Sequence, residues 1–290
     1  MHGGRAKCLQ RLVRLDMPVP LTVALSFDAV HAAAVGDLPD MDALLAPFGD
    51  APLLSVRPSS QDPDWGGPGA ILNVGMNDAR YVELINFVGE AAATRVYLRF
   101  VQSYAVHVAR LDPDEFHLPD VFDAASLRSM MDTYEFETEQ PFPQDPAVQL
   151  AEVLRSMARA WDGTTARLLR QAKGAPADAG LGLVVQAMAA GRNSGECGQG
   201  FVRFVDVVTG APTIVGRYVS AWQTETRDVR PDAEGAHYLA RDPRGPSLED
   251  LQPEVFAQLV EYGDICRKNL REEMDIIVTI KDGELQILDA

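Results

Sequence analysis

Leu53-Leu54-Ser55-Val56-Arg57-Pro58-Ser59-Ser60 is a strand-like apolar run that ends in a polar tail, and Ala70-Ile71-Leu72-Asn73-Val74-Gly75-Met76-Asn77-Asp78 follows it after a loop rich in glycine and proline, Trp65-Gly66-Gly67-Pro68-Gly69. The order is strand, loop, then a second apolar run closing on Asn, Gly, Asn and Asp. Backbone amides in such a loop are able to cradle a phosphate. Arg57 stands on the strand just before it.

Outward from this stretch the pattern is mixed. Before it, the spacing predicts a short helix over Ala6 to Leu15, a strand at Leu21–Phe27 and a helix at Met41–Leu45; after it comes a further segment at Tyr81–Phe87. Val96, Phe100, Val101, Tyr104 and Val108 recur at helical spacing, as do Leu150, Val153, Leu154, Met157 and Trp161. Between those two helices an acidic loop is expected, including Asp112-Pro113-Asp114-Glu115 and Glu135–Glu139. From Gly182 the pattern turns to strands, at Gly182–Met188, Gly200–Val208, Pro212–Val219, Asp275–Ile280 and Glu284–Leu288. A helix over Pro253–Arg271 precedes the last two, and Lys281-Asp282-Gly283 reads as the tight turn between them.

With 290 residues, 47% of them hydrophobic, the chain is long enough to bury a large core. No run approaches the ~18 apolar residues of a membrane span, and the N-terminus lacks a signal-peptide pattern, so a soluble cytoplasmic protein with no membrane partner is expected. Cys8, Cys197 and Cys266 are too few and too scattered for a disulfide framework or a zinc site and read as three reduced thiols. A net charge of -16 argues against a nucleic-acid binder, which needs a basic face. Of the 26 basic residues four are lysines and 22 arginines.

Several stretches together resemble the nucleotide-binding domain of the pyruvate phosphate dikinase and phosphoenolpyruvate synthase family. Besides the opening two, they are His2-Gly3-Gly4-Arg5-Ala6-Lys7-Cys8-Leu9 followed by Met17-Pro18-Val19-Pro20; Tyr97-Leu98-Arg99-Phe100-Val101-Gln102; Pro141-Phe142-Pro143-Gln144-Asp145-Pro146; Val184-Val185-Gln186-Ala187-Met188; and the final pair Asp275-Ile276-Ile277-Val278 and Asp282-Gly283-Glu284-Leu285. The resemblance runs through nearly the whole chain. It implies an α/β (α+β) chain of ATP-grasp type: one mixed lobe over residues 1–95, a helical insertion over 96–170 and a second lobe over 171–290.

The resemblance further implies ATP as ligand, with Mg²⁺ beside it, and gives residues their parts. Arg57 stands at the family's phosphate-binding arginine. Arg5 stands where the family has a phosphate-binding lysine, and Arg99 on a helix that carries arginine there too, placed at that helix's start. Gly67 and Gly69 belong to the glycine loop, and Gln186 and Met188 to the strand that lies against the adenine. Glu225 and Arg227 fall near the family's Gln-Gly-Glu-Asp segment and the arginine after it. Taken alone, each of these arginines reads first as solvated or ion-paired, and only the order of the motifs turns Arg57 toward nucleotide contact.

The acidic side of the site departs from the family. Mg²⁺ takes carboxylate oxygens in octahedral geometry. Where the dikinases have Gly-Glu-Tyr this chain has Gly216-Arg217-Tyr218, and where their closing hairpin has a second glutamate it has Ile277. An arginine there repels Mg²⁺ or replaces it by contacting phosphate directly, which makes Arg217 a second candidate clamp beside Arg57. Asp228, Asp275 and Asp289 are the carboxylates left to reach a metal from shifted positions. The glycine loop is shorter than the family's and lacks its Asp.

The dikinases pass phosphate to a histidine on a swivelling domain and then to pyruvate on a barrel domain; neither is expected within these 290 residues. None of His2, His31, His107, His117 and His237 sits in a Thr-x-His context. Two readings stand. One is an ATP-dependent phosphotransferase whose acceptor is a small molecule or a separate protein. The other is a non-catalytic relative that keeps the fold for binding or regulation, since fold alone does not fix function.

Overall fold

A computed structural model describes residues 1–50, 52–188, 198–206, 208–220, 236–270, 275–281 and 283–289, with the side chains of Ser220, Asp275, Lys281 and Asp289 left out. In chain order the elements are α1 (Gly3–Arg14), β1 (Thr22–Leu25), α2 (Phe27–Ala34), α3 (Met41–Leu45), β2 (Leu54–Ser60), β3 (Ile71–Val74), α4 (Asp78–Val88), α5 (Glu90–Tyr104), α6 (Ala124–Thr138), α7 (Pro146–Asp162), α8 (Thr164–Ala172) and β4 (Leu181–Ala187), then β5 (Gly198–Val205), β6 (Pro212–Ser220), β7 (His237–Tyr238), α9 (Leu248–Leu251), α10 (Pro253–Leu270), β8 (Asp275–Lys281) and β9 (Glu284–Asp289). The class is α+β. The chain forms two compact units, one of Met1–Lys7 and Leu21–Met188, the other of Cys8–Pro20 and Ala189–Ala290.

The first unit is built on a four-stranded antiparallel sheet in the order β1-β4-β2-β3. Strands alternate faces with period two, so Leu54, Val56, Leu183 and Val185 share one side, and all four are buried. This apolar side gives α2 and α7 their seat; α7 brings Leu150, Val153, Leu154 and Met157, an i, i+3, i+4, i+7 stripe. Burying an aliphatic side chain of this size is worth about 1.5–3 kcal/mol, so these two rows anchor the unit. Asp145 caps α7 by accepting from Ala147 N at 2.8 Å, with Pro146 in the first turn, where its missing N–H costs nothing.

A second core lies among the helices. The Phe142 ring meets Tyr97, Phe100, Tyr104 and Tyr134 at centroid distances of 6.1, 5.6, 5.3 and 5.2 Å, mostly edge-on, the arrangement that ring quadrupoles favour. This cluster explains a difference from the sequence reading. Residues up to Thr138 of the expected acidic loop Glu135–Glu139 are the end of helix α6, because Asp123 caps the helix at Ser126 N and Leu127, Met130 and Tyr134 bury one face of it. Likewise Tyr81–Phe87 is the middle of helix α4, and the strand expected to reach Phe27 stops at Leu25, where Ser26 caps α2 by accepting from Ala29 N at 3.2 Å.

The second unit carries a five-stranded antiparallel sheet in the order β7-β6-β5-β8-β9. Val202, Phe204, Tyr218, Ile276, Val278 and Ile280 are buried in it, and α10 contributes Val255, Leu259, Cys266 and Leu270 to the same unit's core. Gly283 turns β8 into β9 with φ 84°, as its place in the expected turn requires; Asp282 lies outside the described residues.

Candidate functional site: the polar face of the first sheet

The side of the first sheet away from Leu54 and Val56 is polar. Directly opposed residues of an antiparallel pair share a face, and the register sets Thr22, Gln186 and Ser55 in one row, Ala24, Val184 and Arg57 in the next, and Gly182 with Ser59 in a third. Gln186 Nε2 donates to Thr22 Oγ1 at 3.1 Å and Ser55 Oγ to Gln186 O at 3.4 Å, a polar ladder across three strands. Gln186, Ser55 and Ser59 are at most 3% exposed and Arg57 is 7% exposed. Burying a guanidinium is costly unless anions or acceptors surround it, so a strand that spends a face on Ser, Arg and Ser is built for polar contacts. Arg57 and Gln186, expected from the resemblance, are thus neighbours on one face.

The N-terminal arm lies on the far end of that face. A Cβ on Gly3, whose φ is 82°, would stand 1.7 Å from the Ser59 carbonyl oxygen, so only glycine lets the chain pass there. Ser59 Oγ donates to His2 O at 2.7 Å and accepts from Ala6 N at 3.0 Å. This fixes Arg5 beside β2, where its Nη1 donates to the Pro58 carbonyl, one residue past Arg57. Arg5 and Arg57 are therefore brought together, and the Gly-Gly-Arg run acquires a physical reason.

The Asn73–Asp78 signature is a scaffold. Asn73 takes a left-handed φ of 62° and its N–H points at Met188 Sδ, 3.1 Å away, tying Met188 to the end of β3. Fully buried Gln149 accepts from Gly75 N at 2.8 Å and donates to Met76 O at 2.9 Å and Pro143 O at 2.7 Å. Asn77 caps α4 at Arg80 N, and Asp78 Oδ1 accepts from Tyr97 OH at 3.0 Å. Burial, with help from Asp78, pushes the Tyr97 hydroxyl far above its ordinary range, so it stays a neutral donor.

In the glycine loop, Gly66 has φ 78°, Gly67 lies against the Trp161 ring, and nothing stands within 4 Å of where a Cβ on Gly69 would be. Arg99 sits deep in α5, nine residues after the helix begins at Glu90 rather than at its start, because helix formation extends back to Gly89 through the buried Ala93, Val96 and Tyr97.

In the second unit the register makes Arg217, Phe201 and Ile277 direct neighbours across β6, β5 and β8. The two positions where the resemblance places carboxylates are thus on one row of one face. The Arg217 guanidinium is 3.7 Å from the Tyr238 ring centre, its cross-strand partner. Arg244 also approaches that ring, at 4.9 Å, and grips Asp242 with two bonds of 2.8 and 2.7 Å. Those bonds to Arg244, helped by the charge of nearby Arg217, pull the Asp242 carboxyl down to about 2. An arginine and an isoleucine on this row do not fit a Mg²⁺ ligand set, and no group of three or more His, Cys, Asp or Glu among the described residues is arranged to hold a metal. Glu225, Arg227 and Asp228 lie outside the described residues, as do the side chains of Asp275 and Asp289.

Sequence reasoning missed Thr22, Ser55, Gln149 and Tyr238. For Ser55 the signal was present, since Ser55, Arg57 and Ser59 alternate with Leu54 and Val56. For the others only the strand register or the fold reveals the contact.

No family model matches the chain. Among curated proteins it is similar to the pyruvate, phosphate dikinase of Rhizobium meliloti (strain 1021), 29% identical over 99% of this chain and 36% of that protein, and to that of Clostridium symbiosum, 27% identical over 83% of this chain and 29% of that protein. The chloroplastic pyruvate, phosphate dikinase 1 of Arabidopsis thaliana is 24% identical over 99% of this chain and 32% of its own length. The chain spans about a third of the length of these relatives. Over most of its length it is therefore related to one segment of proteins named pyruvate, phosphate dikinase.

Proposed function

We propose that this chain binds ATP on the polar face of its first sheet, in the manner of an ATP-grasp nucleotide-binding domain of dikinase descent. The observation that carries the reading is the buried row system in which Arg57 lies beside Gln186, Ser55 and Thr22. Gln186 and Met188 take the base. Arg57 and Arg5 take the phosphates, and the loop of Gly67 and Gly69 adds backbone amides just beyond Ser60. From Ser55 to Ser60 the strand covers roughly 17 Å at ~3.4 Å per residue, which sets the direction base to phosphate along β2. The lobe, insertion and lobe division at 1–95, 96–170 and 171–290 belongs to the same proposal, as do Arg99, Arg217, Glu225 and Arg227 as further contacts.

The activity we assign is phosphoryl transfer from ATP to a small molecule or a separate phosphoacceptor protein. For such chemistry a protein chiefly positions the phosphates and neutralises their charge; here Arg57 orients, and Arg5 holds the N-terminal arm against the strand that carries it. When Mg²⁺ accompanies ATP it supplies charge neutralisation at the phosphates. Binding without transfer is the second reading, favoured by the replacement of both carboxylate positions with Arg217 and Ile277 on one row.

Equilibrium dialysis with labelled ATP, with and without Mg²⁺, tests both. Saturable binding that Arg57→Ala removes, with an unchanged circular dichroism spectrum, is the expected result. Absence of binding by the unsubstituted protein would sink the proposal. Binding strengthened by Mg²⁺ favours transfer, and binding indifferent to it favours the second reading.

A further inference from the structure

The end of α8 reaches back to the glycine loop. Lys173, the residue after the helix, donates from Nζ to the Asp64 carbonyl at 3.0 Å, and that nitrogen lies 3.7 Å from where a Cβ on Gly66 would stand. Gly67 is in contact with the Trp161 ring, 3.4 Å from where its Cβ would be. The same ring lies under the Arg170 guanidinium, 3.6 Å from its centre, and Trp161 is itself held by its Nε1 donating to Ala179 O at 3.1 Å. Arg170 is 6% exposed, and its Nη1 is buried with no hydrogen-bond partner among the described residues, a costly arrangement for a cation. Burial pulls its pKa below the usual arginine range, with Asp162 opposing and Arg167 adding to the effect. Lys173 is one of only four lysines in the chain, and its ammonium has two further donors beyond the one given to Asp64.

We propose that Lys173, with Trp161 and Arg170 beneath, is the positioning residue of the glycine loop, and that its ammonium makes this loop the seat of a ligand's terminal phosphate oxyanion. The inference rests on the nucleotide reading for the identity of the ligand, but not for the seating of the loop. Trp161 sets the depth of the loop through Gly67, and Lys173 fixes its start through the Asp64 carbonyl. The spare ammonium donors then lie beside Gly66, whose φ of 78° favours glycine. A phosphate at the far end of the molecule meets this charge, whereas a monophosphate reaching only Arg57 does not.

The test uses Lys173→Met, which removes an exposed charge and leaves the core untouched, and Lys173→Arg. Hydrogen exchange of the amides of residues 62–69 in the ligand-free protein is expected to speed up several-fold in Lys173→Met and to return toward the original rate in Lys173→Arg. In binding, Lys173→Met is expected to weaken ATP roughly tenfold, the size of one charge-assisted hydrogen bond, while leaving AMP unchanged. Unchanged exchange in Lys173→Met, or an equal loss for ATP and AMP, overturns the proposal. If the unsubstituted protein binds neither nucleotide, the nucleotide reading and the phosphate seat fail together, and the exchange comparison still decides whether Lys173 holds the loop.

Discussion

Arg57 lies on a sheet face with 7% of its surface exposed, directly opposite Val184 and one row away from Ser55 and Gln186. Its replacement by alanine is expected to abolish ATP binding, because the backbone contacts of β2 do not depend on the side chain while the proposed phosphate contact does; calorimetric titration with ATP checks it. Cys266 offers a pH prediction. Burial, with a smaller effect of Cys8, pushes its thiol up from 9.0 to about 11. The folded state therefore favours the neutral thiol: the contribution is complete below pH 9 and is lost as pH rises from 9 toward 11. Urea midpoints are expected to fall across that window, and to fall less in Cys266→Ala, which has no thiolate to form. Arg57 was legible in the sequence through the resemblance, within an alternating run that leads into a glycine loop. Arg217 was legible only as a substitution, since its stacking on Tyr238 depends on a strand register that a gap of twenty residues hides.

At the level of elements, the Asn73–Asp78 turn carries more of the fold than of the site. Gln149 satisfies three backbone groups, two of them in buried bonds, and each buried group left unpaired costs about 1–3 kcal/mol. Gln149→Ala is thus expected to destabilise the first unit by roughly 2–4 kcal/mol, read as a lower urea midpoint with an unchanged slope. Gly75 has φ 99°, and a Cβ there would stand 2.0 Å from the Pro52 carbonyl oxygen. Gly75→Ala is expected to cost on the order of 2 kcal/mol or more, with the loss in the same denaturation curve. The sequence yielded α7, α10 and the late strands because their periodicity is long and unbroken. It did not yield α6 as helix over Glu135–Thr138, since its acidic surface hides the Leu127, Met130 and Tyr134 stripe, nor α2, whose only local signal is Ser26 before a short apolar run.

Across the whole molecule the chain is strongly acidic, with a net charge of -16, yet it brings Arg5 beside β2, the strand of Arg57, and Lys173 against the loop that follows that strand. A local basic site in an acidic protein selects a compact anion over a polyanion, since the surrounding charge repels anything larger. No helix among the described residues is long and apolar enough to cross a membrane. The chain is similar to about a third of each dikinase, and the proposed nucleotide site rests on the polar rows of β2 and β4. The most direct measurement is the melting temperature with and without millimolar ATP, in the unsubstituted protein and in Arg57→Ala. A ligand at ~100 times its dissociation constant adds ~2.7 kcal/mol to the stability of the state that binds it. The account predicts a rise of several degrees with ATP that Arg57→Ala loses; no rise in the unsubstituted protein, or an equal rise in both, would contradict it.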